Sequence, residues 1–209
     1  MPRLPLSFTN LPPGIFHTFW FMENRDDLED LSMPEDWVNM LPKPKENHRR
    51  KEGLAARHCL SLLMQENGLI LPKWHQIAQE KPHFINSDWH FSLSHSMGKW
   101  AGAALAQQAL GLDLEPLNRS VEKVSARFLN VEEKKLFLKS KKNLVLAWSA
   151  KEAVYKLLGL KGLSFLSIEI LDLNAEDMQV KVKLEKEEIY LRVWHASNQE
   201  VLACLALIQ

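Results

Sequence analysis

Residues 144–158, LVLAWSAKEAVYKLL, carry the strongest helix signal in the chain, and Gly159 closes it. Glycine takes the left-handed conformation that ends a helix without steric cost, so this segment has a defined stop. Strand-like segments come next at residues 165–171, 178–184, 189–194 and 201–208. In residues 178–184, Val180, Val182 and Leu184 alternate with Lys181 and Lys183, which is the period of a half-buried strand. A helix followed by clustered strands predicts an α+β fold with antiparallel sheets rather than a βαβ repeat.

The first half is more punctuated. Residues 15–22 read as an aromatic strand, and Pro34, Pro42 and Pro44 interrupt the stretch between it and residue 47. Residues 47–66 predict a helix with Leu54, Cys59, Leu62 and Leu63 on its apolar stripe and Asn67-Gly68 as a stop. Residues 69–90 are turn-rich. Residues 91–94, 100–106 and 110–115 predict short strands, and residues 120–129 and 131–139 predict helices. No internal sequence repeat, low-complexity segment or long linker interrupts the chain.

The 209 residues allow one large domain or two halves of roughly a hundred residues each. A hydrophobic share of 46% and a charged share of 25% argue against disorder, collagen and coiled coil. No apolar run reaches the roughly 18 residues of a membrane span, and the start, MPRLPLSFTNLPPG, lacks the apolar core of a signal peptide. Cys59 and Cys204 stand alone, which excludes a disulfide framework and predicts a reducing, cytoplasmic setting. Lys+Arg and Asp+Glu are 26 each, without the basic excess of a nucleic-acid binder.

Charge is uneven locally. Glu23, Asp26, Asp27, Glu29, Asp30, Glu35 and Asp36 crowd residues 22–36 against Arg25. Lys43, Lys45, Arg49, Arg50, Lys51 and Arg57 outweigh Glu46 and Glu52 in residues 43–57. Lys134, Lys135, Lys139, Lys141 and Lys142 form a run with no acid between them. Such runs are usually solvated faces, and a small anionic ligand or an acidic protein is the sharper reading.

Three segments could carry chemistry. In GLDLE, Asp113 and Glu115 are two apart, so on a strand both carboxylates share a face. Magnesium uses such paired oxygens, although the pair alone reads more readily as a solvated strand end. In WSAKEAVYKLLG, Trp148, Glu152 and Lys156 fall on one helical stripe. That spacing fits a surface Glu–Lys pair, or a carboxylate for a metal or proton with a cation one turn away. In FSLSHS, His95 between Ser94 and Ser96 could contact a phosphate or simply end a strand. There is no GxSxG elbow, HExxH or CxxC motif to support a serine hydrolase or zinc enzyme.

The order Lys81-Pro82, FSLSHS, GLDLE, RFLNVEE, WSAKEAVYK resembles the Sfp-like 4′-phosphopantetheinyl transferases. The resemblance runs from Lys81 to Lys156. It implies a pseudo-dimer of two similar α+β halves, residues 1–108 and 109–209, with coenzyme A and magnesium in the cleft between them. It implies transfer of 4′-phosphopantetheine from coenzyme A to a serine of an apo carrier protein of fatty acid, polyketide or nonribosomal peptide type. It also implies a monomer that needs no nucleic acid or membrane.

By the same resemblance, Asp113, Glu115 and Glu152 match the metal-binding acids, and Lys156 matches the lysine beside the pyrophosphate. Ser94 and His95 match phosphate contacts, and Lys81 and Pro82 match the segment beside the adenine and its ribose phosphate. Arg57 matches a basic position used for the 3′-phosphate. Arg50, beside Arg49, joins the coenzyme A-binding set, and Glu133 matches an acid that some members have near the metal. Glu80 replaces the usual glycine, Ser92 the usual asparagine, and Met97 separates His95-Ser96 from Gly98.

The basic run after RFLNVEE predicts carrier docking. If residues 131–139 are one helix, Lys135 and Lys139 lie on a common face. Two other readings remain: a different magnesium-dependent enzyme such as a nucleotide pyrophosphohydrolase, and a non-catalytic binder of coenzyme A or a carrier.

Overall fold

The computed structural model describes residues 1–22, 33–39, 41, 47–75 and 81–209. The acidic residues Glu23 to Asp30 with Arg25, the residues Pro42, Lys43, Pro44, Lys45 and Glu46, and Glu80 lie outside the described residues. The chain divides into two compact units, one of Met1–Ser7 with Pro12–Ala109 and one of Phe8–Leu11 with Leu110–Gln209.

The first unit contains β1 (Phe16–Phe21), α1 (Glu35–Asn39), α2 (Asn47–Glu66), β2 (Trp74–His75), β3 (His83–Phe84), β4 (His90–Ser96) and β5 (Trp100–Ala106). β1, β5 and β4 form an antiparallel sheet in that order. Helix α2 packs on all three strands. It buries Leu54, Ala55, Ala56, Cys59, Leu60, Leu63 and Met64 against Phe91, Ala101, Ala103 and Leu105. At about 25 cal/mol per Å² of apolar surface, this face is what holds α2, since its acid-free first turn adds no dipole stabilisation. β2 and β3 form a two-residue ladder instead of open turn, held by Trp74, Phe84 and Phe91 ring contacts.

The second unit contains β6 (Leu110–Pro116), α3 (Val131–Phe137), α4 (Lys141–Leu158), β7 (Ile168–Ile170), β8 (Asp177–Lys183), β9 (Glu188–Ser197) and β10 (Val201–Ile208). Its antiparallel sheet has the order β6-β10-β9-β8-β7. The Ser140 hydroxyl caps α4 by accepting from Asn143 N, and Gly159 ends it at φ 63°. α4 packs on β6, β10 and β9.

One connectivity serves both units. A strand, a long helix and two further strands occur in order, and the last strand inserts between the other two. In the first unit these are β1, α2, β4 and β5; in the second, β6, α4, β9 and β10. The fold is α+β with antiparallel sheets, as the sequence predicts.

Three further segments differ from expectation. Residues 120–129 form only a 3₁₀ segment, Glu122–Arg127, where the Ser125 hydroxyl donates to Glu122 O and competes with helical bonding. Residues 165–167 form a 3₁₀ turn capped by Ser164, so the strand starts at Ile168. Helix α3 stops at Phe137, and Lys139 lies beyond it in a turn. Lys135 and Lys139 therefore do not share a helical face.

Candidate functional site

Strand β6 is buried along its whole length, and Asp113 and Glu115 are each only 4% exposed. Gly111, two residues before Asp113, explains how α4 comes so close. A Cβ there would lie 2.0 Å from Ala153 O and 2.6 Å from Leu157 N. Only a glycine lets the two backbones approach this far. The approach brings the stripe of α4 predicted from spacing against the acids of β6.

Lys156 Nζ lies 2.8 Å from Asp113 Oδ1 and donates to Leu112 O at 3.0 Å. The Ser149 hydroxyl donates to Asp113 Oδ2 at 2.9 Å. Trp148 Nε1 donates to Glu115 Oε1 at 3.1 Å, and Arg119 contacts the same carboxylate at 2.6 Å. The Arg119 guanidinium also lies over the Trp148 ring, 5.4 Å from its centre. Lys156 thus reaches across to β6, a pairing that helical spacing alone does not reveal.

The electrostatics are those of crowded acids. Burial first, then the neighbouring Asp113 charge, pushes Glu115 up to about 7, against the opposing effects of Arg119 and Trp148. Glu152 is raised for the same two reasons, opposed by Lys156 and Arg119. Asp113, Glu115 and Glu152 are oxygen donors whose mutual repulsion a hard cation would relieve, so their chemistry fits magnesium. Among the described residues, no three His, Cys, Asp or Glu side chains already stand in a metal-holding geometry. Asp113 and Glu115 instead meet the cations Lys156 and Arg119.

Glu133 has another place. It is 1% exposed and pairs with Lys151 at 2.8 Å. It also accepts from Asn130 N and Ile170 N, each at 2.9 Å. The acid of RFLNVEE therefore caps α3 and anchors β7.

The first unit holds the other candidates. Ser94 is buried on β4, and His95 is exposed. His95 Nδ1 lies 3.4 Å from Glu52 Oε2. Arg57 is 7% exposed and sits over the Trp74 ring, 4.7 Å from its centre. It donates to Gly53 O at 3.2 Å, and burial lowers its guanidinium to about 10. Lys81, beside the half-buried Pro82, is brought down to about 8 by burial. Arg50 is half-buried on α2. Lys135 is exposed and paired with Glu132 at 2.7 Å, and Lys139 is exposed.

Sequence reasoning missed Ser149, Arg119 and Glu52. Ser149 stands inside WSAKE, and Arg119 follows Glu115 by four residues, which is the spacing of a charge partner. Glu52 carries no sequence signal, because its partner lies on a distant strand.

Among the described residues, no helix is long and apolar enough to cross a membrane. The chain matches no curated protein. Among solved structures it is similar to the holo-[acyl-carrier-protein] synthase (AcpS) of Thermotoga maritima, at 29% identity and a TM-score of 0.41. That match covers 48% of this chain and spans 62% of the other's length. A family model described as the 4′-phosphopantetheinyl transferase superfamily matches residues 109–206. The matched stretch holds Asp113, Glu115, Glu152 and Lys156 together with the helix and strand that join them. The similarity to the 4′-phosphopantetheinyl transferase superfamily thus falls on the part of the chain that carries these acids, residues 109–206.

Proposed function

We propose that this protein is a magnesium-dependent 4′-phosphopantetheinyl transferase of the Sfp-like, two-half type. It moves 4′-phosphopantetheine from coenzyme A to a serine of an apo carrier protein and releases adenosine 3′,5′-bisphosphate. The observation that carries this reading is the approach of α4 to β6, which sets Lys156 on Asp113 inside the stretch that matches the superfamily. The connectivity common to both units supports the two-half type, and with it a monomer.

In this reading Asp113, Glu115 and Glu152 hold magnesium, whose chemistry when bound is to polarise the pyrophosphate. Glu152 takes the proton of the attacking serine, directly or through a water. Burial and the Asp113 charge raise its proton affinity, the direction that favours a base. The serine oxygen bonds to the β-phosphorus, and the bond from that phosphorus to the bridging oxygen breaks. Lys156, partly open at 31% exposure, neutralises the charge left on the departing bisphosphate. Ser149 and Arg119 hold the two β6 carboxylates in place. In the first unit, His95, Ser94, Arg50, Arg57, Lys81 and Pro82 bind coenzyme A, with His95 and Arg57 reading its 3′-phosphate. The two free cysteines, Cys59 and Cys204, are both buried, which suits the reducing cytoplasm.

The test is incubation with coenzyme A, magnesium and a panel of apo carriers, read by intact mass. A carrier that gains one phosphopantetheine supports the reading, and Asp113→Asn then loses at least about a hundredfold in rate while keeping its fold. Coenzyme A cleavage without a carrier means a pyrophosphohydrolase. Binding without turnover under saturating magnesium means a non-catalytic relative.

A further inference from the structure

Glu52 divides its carboxylate between two tasks. Oε1 accepts from Gly98 N at 2.6 Å, and Oε2 lies 3.4 Å from His95 Nδ1. The residue is 8% exposed, although the run around it reads as a solvated basic face.

The geometry comes from the sheet. Phe91 and Leu93 point toward the core beneath α2, and the two-residue period of a strand puts His95 on the same face. The strand runs one residue past His95 before the chain turns. Lys99 N donates to Ser96 O at 3.1 Å, and Met97 and Gly98 have φ of 52° and 62°. Two positive φ values in succession are the pattern of a type I′ turn. The left-handed conformation is costly for methionine, so the turn needs a tether. Glu52 supplies it through Gly98 N, while its other oxygen meets the imidazole.

We propose that Glu52 is a positioning residue that orients His95 for a phosphate of its ligand. With Nδ1–H directed at the carboxylate, Nε2 is the ring nitrogen that meets a bound anion. An imidazolium held between Glu52 and the phosphate would donate to both, from Nδ1 to the carboxylate and from Nε2 to the anion. This inference rests on the reading of His95 as a coenzyme A phosphate contact, and it adds the residue that sets the ring.

Glu52→Gln separates the two tasks. The amide oxygen still accepts from Gly98 N, and the amide NH₂ then faces Nδ1 and draws the proton to Nε2. Three measurements decide the matter: coenzyme A affinity, kcat at saturating coenzyme A, and the ¹⁵N shifts of the His95 ring. Glu52→Gln is expected to weaken coenzyme A about tenfold, the scale of one charge-assisted hydrogen bond, and to leave kcat unchanged. In a His95→Ala background the same substitution is expected to cost nothing further. The ring of the wild type is expected to carry a proton on Nδ1, and that of Glu52→Gln to lack it.

Equal losses in both backgrounds, or an Nδ1 that is unprotonated in the wild type, would overturn the proposal. If His95→Ala leaves coenzyme A affinity intact, the phosphate role of His95 fails. The ring shifts then still report whether Glu52 sets the imidazole.

Discussion

Lys151 and Glu133 form an ion pair at 2.8 Å with side chains 0% and 1% exposed. Lys151 also donates to Phe128 O and Phe165 O, so one ammonium ties α4 to the segments before α3 and before β7. Burial lowers its proton affinity, and Glu133 partly restores it. The next residue in α4 is Glu152. A helix anchored through Lys151 has a fixed rotation about its axis, and this turns Glu152 and Lys156 toward β6.

The pair predicts a large, asymmetric loss of stability. Lys151→Met leaves the Glu133 carboxylate buried without its cation and should cost about 3–5 kcal/mol in urea unfolding. The double variant Lys151→Met/Glu133→Gln should lose clearly less than the sum of the two single variants, because each single change already breaks the pair. Additive losses would show that the two side chains do not act together.

Much of the frame was legible in advance. The bounds of α2 were readable because Asn67-Gly68 gives it a stop, and Gly159 likewise marks the end of α4. The uninterrupted apolar run of β10 showed its extent. The shared face of Asp113 and Glu115 followed from strand geometry alone. Partnerships made in the tertiary structure were not legible. Nothing in the sequence around Lys151 marks it for the interior, and only the fold shows it buried against Glu133. Lys156 looked like the i+4 partner of Glu152, because the close approach at Gly111 that offers it Asp113 is a property of two elements packed together. The connectivity shared by the two units left no sequence repeat, since a common strand order needs only matching apolar faces.

Gly111 is the residue on which that approach depends. Gly111→Ala places a methyl within 2.0 Å of Ala153 O, where backbone rather than a flexible side chain must give way. Overpacking of this kind costs about 1–3 kcal/mol, and the displaced α4 carries Glu152 and Lys156 with it. The expected result is a lower melting temperature together with a loss of transfer that persists well below melting. A variant with normal activity at low temperature would show that the spacing of α4 and β6 is not critical.

The basic run after RFLNVEE gives a smaller effect than a continuous helix face would. Lys135 is already paired with exposed Glu132, and Lys139 sits in the turn after α3. Exposed pairs contribute about 0–1 kcal/mol each, and salt weakens them further. Charge reversal at both positions should raise the KM for an acidic carrier several-fold at low ionic strength and leave coenzyme A affinity unchanged. An unchanged KM at low salt would assign the run to solvation alone.

The pH dependence of stability can be isolated at His17. Burial, followed by the nearby Arg3 charge, lowers its proton affinity below the ordinary value of 6.5. In the unfolded chain the imidazole takes up a proton as the pH falls through 6.5, whereas the folded protein resists until a lower pH. Within that window the unfolded state binds more protons, so acidification drains stability, and above it the contribution is flat. His58 and His195 are lowered in the same direction, chiefly by burial. Glu115 acts the other way. Its folded form keeps a proton up to about 7 while the unfolded form loses it near 4.5, so this group favours the fold as the pH falls. The total slope is therefore a difference of opposed contributions, and only a comparison isolates the histidine. The unfolding free energy of wild type minus that of His17→Gln should be constant above neutrality and decrease as the pH drops below 6.5. A difference that stays constant across this range would show that His17 titrates alike in the folded and unfolded chain.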